Sequence, residues 1–228
     1  VYNAKKTYIM TKLWTIFSLF VLSSVALYGQ INDSTKVEQI IYDPEYKDEK
    51  FSIVREQQLE AKPYYDKAYS LVGNHQFDKS IKPLKKAIEI DPTGNCGTGK
   101  DGLAHSELGY AYIRLGDYNN ARIYLDKAIQ LNSLLPEPYL NLSVMLMQQG
   151  NNELALDTLT KAIINIPDYA MAYVQRGFIY DLLKDYGLAL KDLYKFLDIV
   201  KSQGQLDNSK SLVEAVNKRI KELEIKNK

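Results

Sequence analysis

Residues 102–135 read GLAHSELGYAYIRLGDYNNARIYLDKAIQLNSLL, and this stretch decides the fold. Leu108, Tyr112 and Leu115 fall three and four residues apart, which places them on one face of a helix; Ala121, Leu125, Ala128 and Ile129 do the same in a second helix. Gly116-Asp117-Tyr118 lies between them, a residue free to end one helix followed by a polar one suited to start the next. The pattern recurs along the chain. Gly109, Ser143 and Gly177 stand 34 residues apart, and Ala121, Ala155 and Ala189 keep the same step. Tyr112, Leu146 and Tyr180, and Leu125, Leu159 and Leu193, are further columns in phase. An earlier copy enters the same columns with Ala68, Ser80, Leu84 and Ala87 after a step of 41, so seven extra residues separate it from the second. A fixed period of this length predicts helix pairs stacked side by side, each burying its apolar face on its neighbour. The columns of small residues mark where paired helices approach most closely, because a longer side chain there would overpack the contact.

Leu108-Gly109, Tyr112, Gly116-Asp117-Tyr118, Ala121, Leu125 and Ala128 together resemble the tetratricopeptide repeat, and Asp91-Pro92 and Pro167 are similar to its closing proline. The resemblance implies an all-α, right-handed α-solenoid of about four helix pairs: residues 61–94, 102–135, 136–169 and 170–203, with an insertion at 95–101 and a capping helix within 204–228. Leu212, Val213, Val216, Ile220 and Leu223 form the apolar stripe of that cap. The chain departs from the pattern at Lys67, where Leu is usual, and in the fourth copy at Phe196, in a small-residue column, and Lys201, in place of proline.

The amino-terminal segment reads as an address. Lys12 precedes sixteen uncharged residues, Leu13 to Tyr28, short of the ~20 that a membrane span needs, with small Ser24 and Ala26 near their end. Residues 1–29 are therefore expected to be a secretory signal, with Met10 as a candidate start, and the protein to be exported to the periplasm, the envelope or the medium. An uncleaved membrane anchor over residues 13–28 is the competing expectation. Residues 30–60 are polar and non-repeating, expected to form a tether or arm with room for a short helix.

Composition narrows the chemistry. The formal charge is +1, and residues 30–228 carry 26 basic against 28 acidic side chains, so nothing calls for a nucleic-acid partner. One cysteine, Cys96, permits neither an intrachain disulfide nor a cysteine-built zinc site. His75 and His105 are the only histidines, and His105 occupies a column otherwise held by Tyr64, Tyr139 and Tyr173, which favours packing. No metal site and no cofactor is expected. Gly94-Asn95-Cys96-Gly97-Thr98-Gly99-Lys100 has the spacing of a phosphate-binding loop, but Asp101 stands where a magnesium-binding hydroxyl is required and a helix precedes it where a strand should. A nucleotide-binding enzyme using this loop is thus a remote alternative, and the segment is expected to be a flexible connection. Asp181, Asp185 and Asp192 sit at spacings suited to solvated helix faces. No catalytic constellation emerges, and the chain is expected not to be an enzyme.

In the family, the first helices of successive repeats line a concave groove. The resemblance places Lys62, Tyr65, Tyr69 and Val72 there from the first copy; Leu103, Ser106, Tyr110, Ile113 and Arg114 from the second; Glu137, Leu140, Val144, Met147 and Gln148 from the third; and Met171, Val174, Phe178 and Asp181 from the fourth. Tyr65, Tyr69, Ser106 and Tyr110 fill the space that a terminal-carboxylate clamp would need. A peptide or protein segment docked through apolar anchors, with Tyr110, Met147 and Phe178 as the principal ones, is the expected partner. The competing expectation is that residues 30–60 or the cap fold back and fill the groove.

Overall fold

The computed structural model describes residues 49–204 and 210–227, with side chains from Ile53 onward, and the signal-like segment and most of the arm lie outside the described residues. The chain divides after Ser52, and the repeats all belong to the unit Ile53–Lys228. The described residues are helical throughout: α1 (Glu49–Gly73), α2 (Phe77–Ile90), α3 (Leu103–Arg114), α4 (Tyr118–Leu131), α5 (Pro136–Gln148), α6 (Asn152–Asn165), α7 (Ala170–Leu182), α8 (Tyr186–Ser202) and α9 (Lys210–Lys226). Consecutive helices from α2 to α9 pack on one another, and α3 also touches α5 directly. This is a helical solenoid. The first helices form one layer and the second helices the other.

The small columns do what their spacing implies. A Cβ on Gly109 would come within 2.6 Å of Leu125 Cγ and 3.2 Å of the Ala121 carbonyl, and one on Gly177 within 3.0 Å of Leu193 Cδ2. Glycine is what lets α3 lie on α4 at that depth. In the third copy Ser143 fits instead, donating its hydroxyl to Leu140 O at 2.8 Å or to Gln175 Oε1 at 2.9 Å, so one polar group ties α5 to α7.

The four intra-repeat turns share one geometry. His75, Gly116, Gly150 and Lys184 all have positive φ, and the amide of the residue that follows each closes on the carbonyl of Leu71, Tyr112, Leu146 or Tyr180 at 2.8–3.0 Å. That is a left-handed helix stop which glycine adopts freely. In the first copy the reversal falls on His75, two residues after Gly73. Asp117 and Asp185 then start the next helices by accepting from the amides of Asn120 and Leu188 at 3.1 and 3.2 Å.

Several departures from the repeat pattern acquire causes. Lys67 is exposed, so no Leu is required there. α8 runs 17 residues where α2, α4 and α6 run 14, with Lys201 at the position where the first and third copies close on proline and the second has Ser133. Phe196 shares a core cluster with Val216, Ile220 and Leu223 of α9, filling the space a small residue would leave against the cap. The first helix does not begin at residue 61: α1 starts at Glu49, so residues 49–60 continue the first repeat's helix instead of forming a separate arm.

All three aspartates expected to face solvent are engaged. Asp192 is buried and takes a two-pronged ion pair from Arg176, at 2.7 and 2.9 Å, while Arg176 also donates to Thr160 Oγ1 at 3.1 Å. Asp181 takes a matching pair from Arg219 of α9, at 2.6 and 2.8 Å. Asp185 caps α8.

Candidate interaction face

The first helices bring the groove residues Tyr65, Tyr69, Tyr110, Ile113, Arg114, Leu140, Val144, Met147, Gln148, Val174, Phe178 and Asp181 onto one layer, but not to one level. Tyr65, Ile113 and Val174 are buried between helices and offer no free surface. Tyr65 and Ile113 belong to the core that runs from α1 to α7, and Val174 to the second cluster, which includes the cap. Asp181 is occupied by Arg219. The cap thus closes the end of the face at α7, a correction to the expectation that this aspartate is free for a partner.

Eight positions keep surface. Tyr69 is 60% and Phe178 36% exposed. Tyr110, Leu140, Val144 and Met147 are half-buried, and Arg114 and Gln148 are exposed. Tyr110 is fixed from two sides: its ring meets Phe77 edge-on at 5.8 Å, and its hydroxyl accepts from Arg114 Nη1 at 2.9 Å. The Arg114 guanidinium lies over the Phe77 ring at 4.5 Å. A half-buried tyrosine held in this way is pre-organised, so little side-chain freedom remains to be lost when something docks on it. Tyr69 stacks on Tyr65 at 6.1 Å.

Beside this apolar row stand two carboxylates, and their pairing carries no mark in the sequence. Glu107, on α3, is displaced up to about 7 by burial and then by the nearby Glu137 carboxylate. Glu137 belongs to the first turn of α5. Its Oε2 is buried without a hydrogen-bond partner, and its Oε1 lies 4.0 Å from Lys100 Nζ. Burial and then the Glu107 charge raise the Tyr65 phenol, and burial and then the Glu137 charge raise that of Tyr169. Glu137 stood among the groove residues from its repeat position. Glu107 carried no signal, because its partner lies 30 residues away on another helix.

The 95–101 insertion is an ordered, internally bonded loop and not a flexible one. Asp91, buried, accepts from the amides of Thr93 and Cys96 at 3.1 and 2.7 Å and from Thr93 Oγ1 at 2.6 Å. Asn95 accepts from Gly99 N at 2.8 Å and donates to Asp101 at 2.9 Å. The loop amides of Cys96 and Gly99 are therefore spent on the chain's own side chains, where a phosphate loop would leave them to its ligand. Cys96 is buried, and burial followed by the Asp91 charge pushes its thiol up to about 12, away from the reactive thiolate. His105 packs beneath the loop, buried, its Nδ1 without a partner and facing Gly94, where an added Cβ would collide with the ring.

Among the described residues no group of three potential metal ligands occurs, and no helix is long and apolar enough to cross a membrane. The tetratricopeptide repeat family model matches residues 61–93 and 102–134. Human tetratricopeptide repeat protein 13 is 29% identical over 139 residues, covering 60% of this chain and 16% of that protein, so the likeness concerns a small part of that relative. The crystal structure of a MamA protein superposes with a TM-score of 0.51 at 24% identity, covering 72% of this chain and 89% of that one. PilF of Pseudomonas aeruginosa gives 0.55 at 20%, covering 73% and 76%. At these identities the structures speak for the fold alone. With two copies matched in sequence and the helix pairs repeated in the fold, this chain is a tetratricopeptide repeat protein.

Proposed function

We propose that the protein is an exported, non-catalytic scaffold that holds a peptide or a segment of another protein against the face of its first helices. Tetratricopeptide repeats serve as protein-interaction platforms, and the finer statement rests on one observation. After both core clusters are assigned, Tyr69, Tyr110, Leu140, Val144, Met147 and Phe178 remain partly uncovered on successive first helices. An apolar row of this kind, framed by Arg114 and Gln148, gains free energy when covered. Export is supported by the uncharged run from Leu13 to Tyr28 behind Lys12.

Crosslinking and affinity capture from an envelope extract, with residues 30–228 as bait, tests the face when compared with a Tyr110→Ser, Phe178→Ser double variant of equal helicity. A defined partner retained by the parent and lost by the variant is the expected result; equal capture by both sinks the assignment. The mass of the protein recovered from its host tests export. Loss of residues 1–29 is expected, whereas an intact Trp14 segment would mean a membrane-tethered scaffold.

A further inference from the structure

We infer that the uncovered side of the first repeat, between α1 and α2, seats an amphipathic helix of another protein that presents acidic side chains to Lys67 and Lys82. The repeat register exposes the site. Steps of 41, 34 and 34 residues bring Tyr64 into one column with His105, Tyr139 and Tyr173, and Pro63 into one with Ala104, Pro138 and Ala172. All six later residues are buried, whereas Tyr64 is 40% exposed and Pro63 is exposed too. In the later copies the second helix of the copy before packs on the first helix: α2 on α3, α4 on α5 and α6 on α7. Among the described residues no helix takes that place on α1, and a cavity of about 850 Å³ remains there, lined by Pro63, Tyr64, Ile81 and Pro83 among others. A helix suits it because one occupies the same face in each later copy. Those covering helices are 14 residues long, about 21 Å.

Charge specifies what such a helix carries. Lys67, Lys82, Lys85 and Lys86 line the cavity against two acids, Asp78 and Glu89. Lys86 pairs with Glu89 at 3.1 Å, Lys85 lies over the Tyr112 ring at 5.7 Å, and Asp78 stands in the first turn of α2, where its charge favours the helix. Lys67 and Lys82 are exposed and enter no ion pair among the described residues. The fourth copy shows how a cation in the Lys67 column is met when a helix covers it. Arg176 stands in that column, donating to Thr160 Oγ1 of the covering α6 at 3.1 Å and to Asp192 of its own repeat at 2.7 and 2.9 Å. In the first copy the position of Asp192 is held by Pro83, which brings no carboxylate, so the anion for Lys67 has to come from the covering helix. A second copy of this chain fits poorly. Two such faces set together oppose lysine to lysine, and the exposed residues of the cap include Lys218, Lys221 and Lys226 against Glu214 and Glu224, with no acidic excess to offer. Neither Tyr110 nor Phe178 lines this cavity, so the inference stands apart from the proposed groove.

A display library of helix-forming peptides of about four turns, selected on the full-length protein, tests this. Parallel selections use Tyr64→Ser, the charge reversal Lys67→Glu with Lys82→Glu, and the groove variant Tyr110→Ser, Phe178→Ser. The parent is expected to enrich a family with apolar residues at helical spacing and Asp or Glu on one flank, kept by the groove variant and lost by Tyr64→Ser. A selected peptide should bind a Lys67→Gln, Lys82→Gln protein about 2–30-fold more weakly, the worth of two exposed ion pairs, and should weaken with added salt. The charge reversal should turn the flank preference to Lys or Arg. No peptide family that depends on Tyr64, or one without acidic preference, overturns the inference. So does a dimer in sedimentation that Tyr64→Ser dissolves, since a second copy would then be the occupant. All three substituted side chains are exposed, and circular dichroism of each variant confirms that a loss of binding is not unfolding.

Discussion

Replacing Glu107 with Gln should make the protein more stable in mild alkali and leave it unchanged in acid. The carboxyl's ordinary value is 4.5, and in the fold burial and Glu137 carry it to about 7. The folded state therefore holds the Glu107 proton more tightly than the unfolded chain. Its contribution is fully favourable below pH 4.5, is lost as pH rises through about 7, and leaves a constant penalty above that. A displacement of this size corresponds to ~3 kcal/mol as a ceiling; since relaxation and partial hydration reduce it, about 1–3 kcal/mol is expected. Gln keeps the shape and the helix propensity but does not titrate. Urea denaturation of parent and variant, followed by far-UV circular dichroism at about pH 8 and again near 4.5, reads the difference directly. Gln should gain the full amount at the higher pH, raising Tm by roughly 2–4 °C per kcal/mol, and nothing at the lower. A variant less stable at about pH 8 would show that the carboxylate makes a favourable contact, and a gain independent of pH would assign the effect to something other than ionisation. Either would refute the argument. Confirmation would have a functional edge, because a carboxylate retained against stability is what a binding site needs and a core does not.

Other tests address the frame. His105, drawn down from 6.5 to about 4 first by burial and then by Lys127, is held neutral; stability should fall as pH drops from 6.5 towards 4, by up to about 3 kcal/mol, and His105→Leu should abolish that slope in acid melts. Asp192→Ala strands Arg176 in the interior and should cost roughly 3–5 kcal/mol by chemical denaturation, while Asp192→Leu combined with Arg176→Met should recover much of it. Gly109→Ala should lose about 1–3 kcal/mol against the fully buried Leu125, whereas Gly177→Ala, with its nearest contact at 3.0 Å, should be close to neutral once helix propensity is counted. His75→Gly and Lys184→Gly should each stabilise the fold by about 0.5–1 kcal/mol, seen as a higher melting point, because both positions hold positive φ.

By itself the sequence determined the solenoid. A 34-residue period with small residues in phase leaves few ways to bury the apolar faces, since helical spacing is local information and stacking is its only outlet. The turn at Gly116 was legible too, whereas in the first copy the positive φ falls on His75, a residue whose type does not announce it. Charge was not legible. Asp181 and Asp192 looked solvated because their arginines lie 38 and 16 residues away, and a helical spacing says nothing about which neighbour arrives from another helix. The insertion looked flexible because its glycines are visible in the sequence and the acceptor that organises them, Asp91, becomes one only when buried beside their amides. In the same way the groove residues could be named from their repeat positions, while tertiary packing alone decided that Tyr65, Ile113 and Val174 sink into the core and that burial raises the Glu107 carboxyl. Periodicity fixes which face of a helix a residue occupies; the depth of burial, and the charges met there, depend on how closely the next helix comes.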